Sequence, residues 1–250
     1  MGVWLAILLP FALLTARIGG FVLVSPIFGW QAVPAVVRSG MVLMLTVFFA
    51  GFMPPAIEVI GVNWLQAIVL IGQEALVGLA FGLMARLVYS AVLQGGLIAA
   101  QQMGFSDAGV LDPISGSQSR PIATFFEMIF ALLFLAAHGH HLLVRIVASS
   151  FKSFPLADMP DISSLTEGIV VSGSAMLLFG LKLAAPILAG FLVLAVLLSI
   201  LARVLPEMNI LMLSFPLRVG AGIFLASAIM PSLDEFTGEL ARWMQKNLIT

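Results

Sequence analysis

The 250-residue chain is 61% hydrophobic and 9% charged, with a mean hydropathy of +1.15, which is more apolar surface than a soluble domain can cover with a polar shell. Its net charge is −1 and its 11 basic residues are scattered singly, which excludes the basic face a nucleic-acid partner requires. The absence of cysteine excludes disulfides, thiolate catalysis and cysteine metal sites, leaving an all-α, polytopic membrane protein with room for about six passes of roughly 20 residues.

The amino terminus, Met1-Gly2-Val3-Trp4-Leu5-Ala6, carries no basic leader, no small-residue cleavage pattern and no myristoylation Ser or Thr, so it is expected to be uncleaved and unlipidated. Apolar segments then run over Val3–Phe28, Val33–Ile57, Val59–Ala100, Ile122–Val144, Ile169–Leu201 and Met208–Met230. Turn signals separate them at Gly29-Trp30, Pro54-Pro55, Pro155 to Pro160 and Pro206-Glu207. The pattern predicts six long helices in three hairpins, forming a single membrane domain over 1–250. Runs of this length are too continuous to be alternating barrel strands of about 10 residues.

Val59–Ala100 and Ile169–Leu201 are longer than the ~30 Å hydrocarbon core needs at 1.5 Å per residue, so they must tilt, break or protrude. Pro186 offers a kink in the second. Lys and Arg divide between the two sides as Arg38, Arg120 and Arg203 against Arg145, Lys152, Arg242 and Lys246. Such near balance fits a subunit whose placement is set by partner chains.

Arg17, Glu74, Arg86, Glu127, Lys182 and Arg218 lie within or near apolar runs, where an unpaired charge costs at least ~2.5–3.5 kcal/mol at a helix centre. Each must face protein or water. Glu74, Gly78, Gly82 and Arg86 recur every four residues, so on a helix they form one stripe with a GxxxG at its centre for close backbone approach. Glu74 or Glu127 could carry protons or could make ionic contacts between helices or subunits. Their dispersal over several segments favours contacts.

His138, His140 and His141 close the fourth segment. They lack the spacing and carboxylate of an HExxH site, and adjacent His140 and His141 point to different faces of a helix unless the helix has ended. They are expected to be interfacial histidines, with no metal and no other cofactor. From Ala99 to Pro121 the chain reads AAQQMGFSDAGVLDPISGSQSRP, a polar, glycine-rich interruption. At membrane depth, irregular backbone is tolerated where it lines a water-accessible path. Met103 and Phe105 could form a deformable seal there or be ordinary packing residues.

The run Gln101-Gln102-Met103-Gly104-Phe105-Ser106, then Leu111-Asp112-Pro113 and Gln118-Ser119-Arg120-Pro121, resembles the central region of the FliR family of flagellar and type III secretion export-gate proteins. Further matching stretches are Gly139-His140-His141-Leu142-Leu143, Lys182-Leu183-Ala184-Ala185-Pro186, Arg203-Val204-Leu205-Pro206-Glu207-Met208-Asn209-Ile210 and Phe215-Pro216-Leu217, in the same order across most of the chain. The wording of Gln101-Gln102-Met103-Gly104-Phe105 and of Gly139-His140-His141-Leu142-Leu143 is closer to the flagellar than to the virulence branch.

This resemblance implies a non-enzymatic subunit that winds into a helical multi-subunit export gate with FliP-like and FliQ-like companions and an FlhB-like switch protein. The gate would secrete unfolded flagellar proteins across the bacterial inner membrane at the flagellar basal body. It also implies a FliP-like part over 1–182 and a FliQ-like hairpin over 183–250. The loop 103–121 would be a plug, with Met103, Gly104, Phe105, Asp112, Pro113, Gly116 and Arg120 as its gate residues. Glu74, Arg86, Glu127, Lys182 and Arg218 would then be buried ionic contacts. The rival is an autonomous ion-coupled secondary transporter using Glu74, Glu127 or Lys182, for which no internal repeat is found.

Overall fold

The structure is a computed structural model and describes residues 2–30, 33–52, 63–104, 121–158, 160–204 and 210–249. Among these residues there are helices and no strand: α1 (Gly2–Val24), α2 (Ala35–Phe52), α3 (Trp64–Tyr89), α4 (Ala91–Gln102), α5 (Pro121–Ala136), α6 (Gly139–Ser153), α7 (Ile162–Val204), α8 (Ile210–Ile229) and α9 (Ser232–Leu248). Four stretches are long and apolar enough to cross a membrane, or five if α5 and α6 count as one interrupted span. The all-α membrane fold is as expected, and each of the six apolar runs is helical among the described residues, although four or five of them, not six, meet that length and composition.

Each departure has a local cause. The third apolar run is interrupted at Ser90, which separates α3 from α4. The fourth stops at Ala137–His138, where His138 takes a left-handed conformation (φ 59°, ψ 27°) before α6 begins. Helix α7 starts at Ile162, ahead of the apolar run, because Asp161 caps it: its Oδ1 accepts the Ser163 N–H at 3.0 Å. Pro186 lies inside α7 and does not end it. Helix α9 was absent from the apolar pattern because it is amphipathic, burying Leu233, Phe236, Leu240, Met244 and Leu248 at three- and four-residue intervals.

The chain groups into two compact units. The first comprises residues 1–89, 138–174 and 241–250. Helix α1 buries Leu9, Leu13, Leu14, Ile18, Phe21 and Val22 along one stripe. Its partner α3 presents Val77, Gly78, Phe81, Gly82 and Ala85. A Cβ on Gly78 would collide with the Arg17 carbonyl, and one on Gly82 would stand 2.8 Å from the Phe21 carbonyl oxygen, so only glycine allows this approach. In the opposite sense, a Cβ on Gly20 would meet the Ala75 carbonyl at 2.5 Å. Phe151 of α6 packs on Phe49 of α2 with ring centroids 5.5 Å apart, and Phe154 packs edge-on to Phe81 at 6.0 Å.

The second unit comprises residues 90–137 and 175–240. Gly96 of α4 rests on Ala123 of α5, where an added Cβ would be 2.9 Å from the Ala123 Cα. Gly180 of α7 lies under the Ala91 carbonyl at 3.1 Å by the same measure. Phe130 and Phe179 both meet Phe236, at 6.5 and 5.9 Å, and this aromatic group forms the centre of the unit with buried Phe126 and Phe134.

Candidate functional site

The interrupted region begins where α4 ends. Met103 caps the helix, its N–H donating to the Ala99 carbonyl at 3.2 Å, and Gly104 follows with φ +84°, a conformation that favours glycine. The turn thus directs the chain out of the helix at a residue that has no Cβ to oppose it. Met103 is fully buried (0% exposed). Its side chain fills the notch left by Gly222 of α8, where any Cβ would overlap its Sδ, Cγ and Cε. Phe215, also on α8, lies beside Gly104 at 3.8 Å from a Cβ built there.

At its other end the interruption returns at Pro121, the first residue of α5, where proline's fixed φ and missing N–H cost nothing. The Gly96–Ala123 contact holds α4 against α5. The two roots of the loop are therefore tied to the same set of helices. Phe105, Asp112, Pro113, Gly116 and Arg120, the remaining expected gate residues, lie outside the described residues.

The candidate charges divide into distinct environments. Arg17 and Glu74 form an ion pair in the first unit, Nε to Oε2 at 2.5 Å, with side chains only 1% and 2% exposed. Arg17 Nη1 also donates to the carbonyls of Ser150 at 3.0 Å and Phe154 at 2.6 Å, and the guanidinium lies 4.8 Å from the Phe151 ring centroid. Glu74 Oε1 accepts the Ala157 N–H at 2.9 Å. Both carboxylate oxygens are held by fixed donors, and one pair joins α1, α3, the end of α6 and the turn after it. Such an arrangement is a clamp, because buried charges persist only when paired and hydrogen-bonded.

Lys182 of α7 reaches Glu239 of α9 in the second unit, its Nζ 2.6 Å from both carboxylate oxygens, but here the side chains are 55% and 41% exposed. This pair faces a cavity of about 260 Å³ lined in part by Pro186, Ile229 and Phe236. Arg86 is exposed on α3, Glu127 is half-buried on α5 and Arg218 is half-buried on α8. No carboxylate among the described residues lies within ion-pair distance of Arg86 or Arg218. The expected ionic residues thus do not converge on one site. The partners of the first two, Arg17 for Glu74 and Glu239 for Lys182, each lie 57 positions away, with no local pattern to connect them.

A sequence profile of the bacterial export proteins, family 1, matches residues 8–243, nearly the whole of this fold. The chain belongs to that family. Among individual relatives, this family 1 export protein is 31% identical to the flagellar biosynthetic protein FliR of Escherichia coli over 224 residues, spanning 90% of this chain and 85% of the relative. It is 32% identical to FliR of Bacillus subtilis over 225 residues (88% and 85%) and 29% identical to FliR of Pectobacterium carotovorum over 228 residues (90% and 85%). As an export-family member it keeps both loop roots and the Arg17–Glu74 clamp inside the matched region.

Proposed function

We propose that the chain is a subunit of the flagellar type III protein export gate and forms part of the passage through which unfolded flagellar proteins are secreted. The observation that carries this reading is its likeness, over about nine-tenths of its length, to proteins named flagellar biosynthetic protein FliR. The seating of the loop fits. A closure for a polypeptide-conducting pore needs fixed roots and a deformable middle, and Met103 on Gly222 with α4 against α5 supplies the roots. The proposed plug is 103–121, with Met103, Gly104, Phe105, Asp112, Pro113, Gly116 and Arg120 contributing to it.

The partners would be FliP-like and FliQ-like subunits and an FlhB-like switch protein, assembled in the bacterial inner membrane at the flagellar basal body. Residues 1–182 would correspond to a FliP-like part and 183–250 to a FliQ-like hairpin. Large apolar side chains stand exposed in quantity on α2 (Val36, Met44, Phe52) and α7 (Leu178, Leu192, Val193), which suits contact with lipid and with neighbouring membrane subunits. The role is one of conduction, without catalysis. A transporter using Glu74 would need a carboxylate free to exchange protons, and both oxygens of Glu74 are engaged.

The test is complementation. A strain lacking its own FliR should regain swimming and secretion of flagellar proteins when this chain is supplied with its cognate FliP and FliQ, and the chain should co-purify with both. Failure to co-purify, together with a stable free monomer that moves a small solute, would overturn the proposal.

A further inference from the structure

The three histidines that precede and open α6 are placed differently from what their spacing along a helix would allow. His140 and His141 are neighbours on the helix, but His138 lies before it, and its left-handed backbone turns its ring back over the first turn. The His138 and His141 rings stack nearly parallel with centroids 5.5 Å apart, and the His140 and His141 rings are 4.3 Å apart. One ring nitrogen from each of the three lies within 4.8 Å of the others. A positive φ is uncommon outside glycine, and strain of this kind gathers at binding sites.

A second observation is independent of the clustering. Nδ1 of His140 is shut off from solvent and meets no hydrogen-bond partner among the described residues. Buried polar atoms are nearly always satisfied, so this nitrogen calls for a partner beyond the described residues, and a metal ion is one that also explains the neighbouring rings. Imidazole nitrogens converging without a carboxylate suit a borderline cation of the zinc, nickel or copper type, whereas calcium and magnesium demand oxygen.

We propose that His138, His140 and His141 form a binding site for a divalent late transition-metal ion, with water completing the coordination. Tetrahedral zinc at about 2.0–2.1 Å from nitrogen needs ligand atoms roughly 3.4 Å apart. Rotation of the exposed His138 and His141 side chains about χ1 and χ2 closes the remaining gap. The bound ion would fasten the turn at 137–138 to the start of α6. No catalytic role is implied.

The experiment uses the full chain purified in detergent with an affinity tag free of histidine, stripped with chelator and titrated with Zn²⁺ by calorimetry, then with Co²⁺ to read coordination from its visible spectrum. One ion per chain is expected, with nitrogen-ligand Co²⁺ bands and a rise in melting temperature on Zn²⁺ addition. His138→Ala and His141→Ala alter exposed side chains, so both variants should fold as the parent does; each should weaken Zn²⁺ binding by about tenfold or more, and the double variant should lose the thermal response. Absence of stoichiometric binding by the parent, or unchanged affinity in the double variant, would overturn the assignment.

Discussion

Replacing Glu74 by Ala probes the clamp that holds the first unit together. The substitution leaves the Arg17 guanidinium at 1% exposure without its carboxylate, a loss worth about 3–5 kcal/mol when one partner of a buried pair is removed. Arg17 keeps two carbonyl acceptors and the face of Phe151, which places the charge term toward the lower end, about 3 kcal/mol. The Ala157 N–H also loses its acceptor, adding about 1 kcal/mol. At roughly 2–4 °C per kcal/mol for a chain of this size, Glu74→Ala should melt about 8–16 °C below the parent. The assay is tryptophan fluorescence of the detergent-purified chain during a thermal ramp, with size-exclusion profiles as a check on aggregation. The double variant Arg17→Met with Glu74→Leu removes both charges and should recover most of the loss. A single variant that melts within 2 °C of the parent, or a double variant no better than the single, would refute the clamp. If Glu74 instead carried protons, the double variant would be stable and its export function abolished.

Gly222→Leu should force Met103 from its notch at a cost of about 1–3 kcal/mol, partly relieved by adding Met103→Ala; equal stability of Gly222→Leu and the parent would show that Met103 does not need that seat. Lys182→Leu should change the melting of the isolated chain by less than about 1 kcal/mol equivalent, since its pair with Glu239 is exposed, while lowering the yield of assembled gate complex; intact complexes with abolished transport would point to ion coupling instead. Deleting Ser115–Gln118 should raise ion leakage through assembled gates in planar bilayers, and unchanged conductance would argue against a sealing role for that stretch. Gly78→Leu should prevent α3 from seating on α1 and abolish recovery of monodisperse protein, whereas the same change at exposed Gly72, around whose built Cβ nothing lies within 4 Å, should be tolerated.

The face carrying Glu74, Gly78 and Gly82 could be read from a four-residue repeat, because helical geometry turns that spacing into a stripe without reference to the rest of the chain. Which helix it would meet could not, since Arg17 and Phe21 are dozens of residues away and every apolar run offers a comparable surface. Helix α9 does not stand out as an apolar run: its apolar residues recur at three- and four-residue intervals, and Glu235, Glu239 and Arg242 dilute its mean hydropathy. The break at His138 was hidden for another reason. Nothing in the local residue types demands a left-handed histidine next to a glycine that could have taken that conformation more cheaply. At the loop, the composition of 99–121 indicated irregular backbone, whereas Ala99–Gln102 still belong to α4 and the helix gives way only at Met103 and Gly104; the glycine in α8 that accommodates Met103 had no pattern of its own.

The α1–α3 seam fixes position along the helix axes as well as distance between them. Two glycines four residues apart face two carbonyls one turn apart, so if α3 ratcheted past α1 by one turn, about 5.4 Å, only one carbonyl would still meet a glycine. That slip would bring Gly82 beneath the Arg17 carbonyl without a clash. It would also bring Arg86 beneath the Phe21 carbonyl, where there is no room for a side chain, and set Gly78 opposite the guanidinium in place of Glu74. The glycine pair and the buried ion pair select the same register. Any sliding that accompanies the passage of a polypeptide is thereby excluded from this seam and must be taken up by elements whose contacts carry no such key.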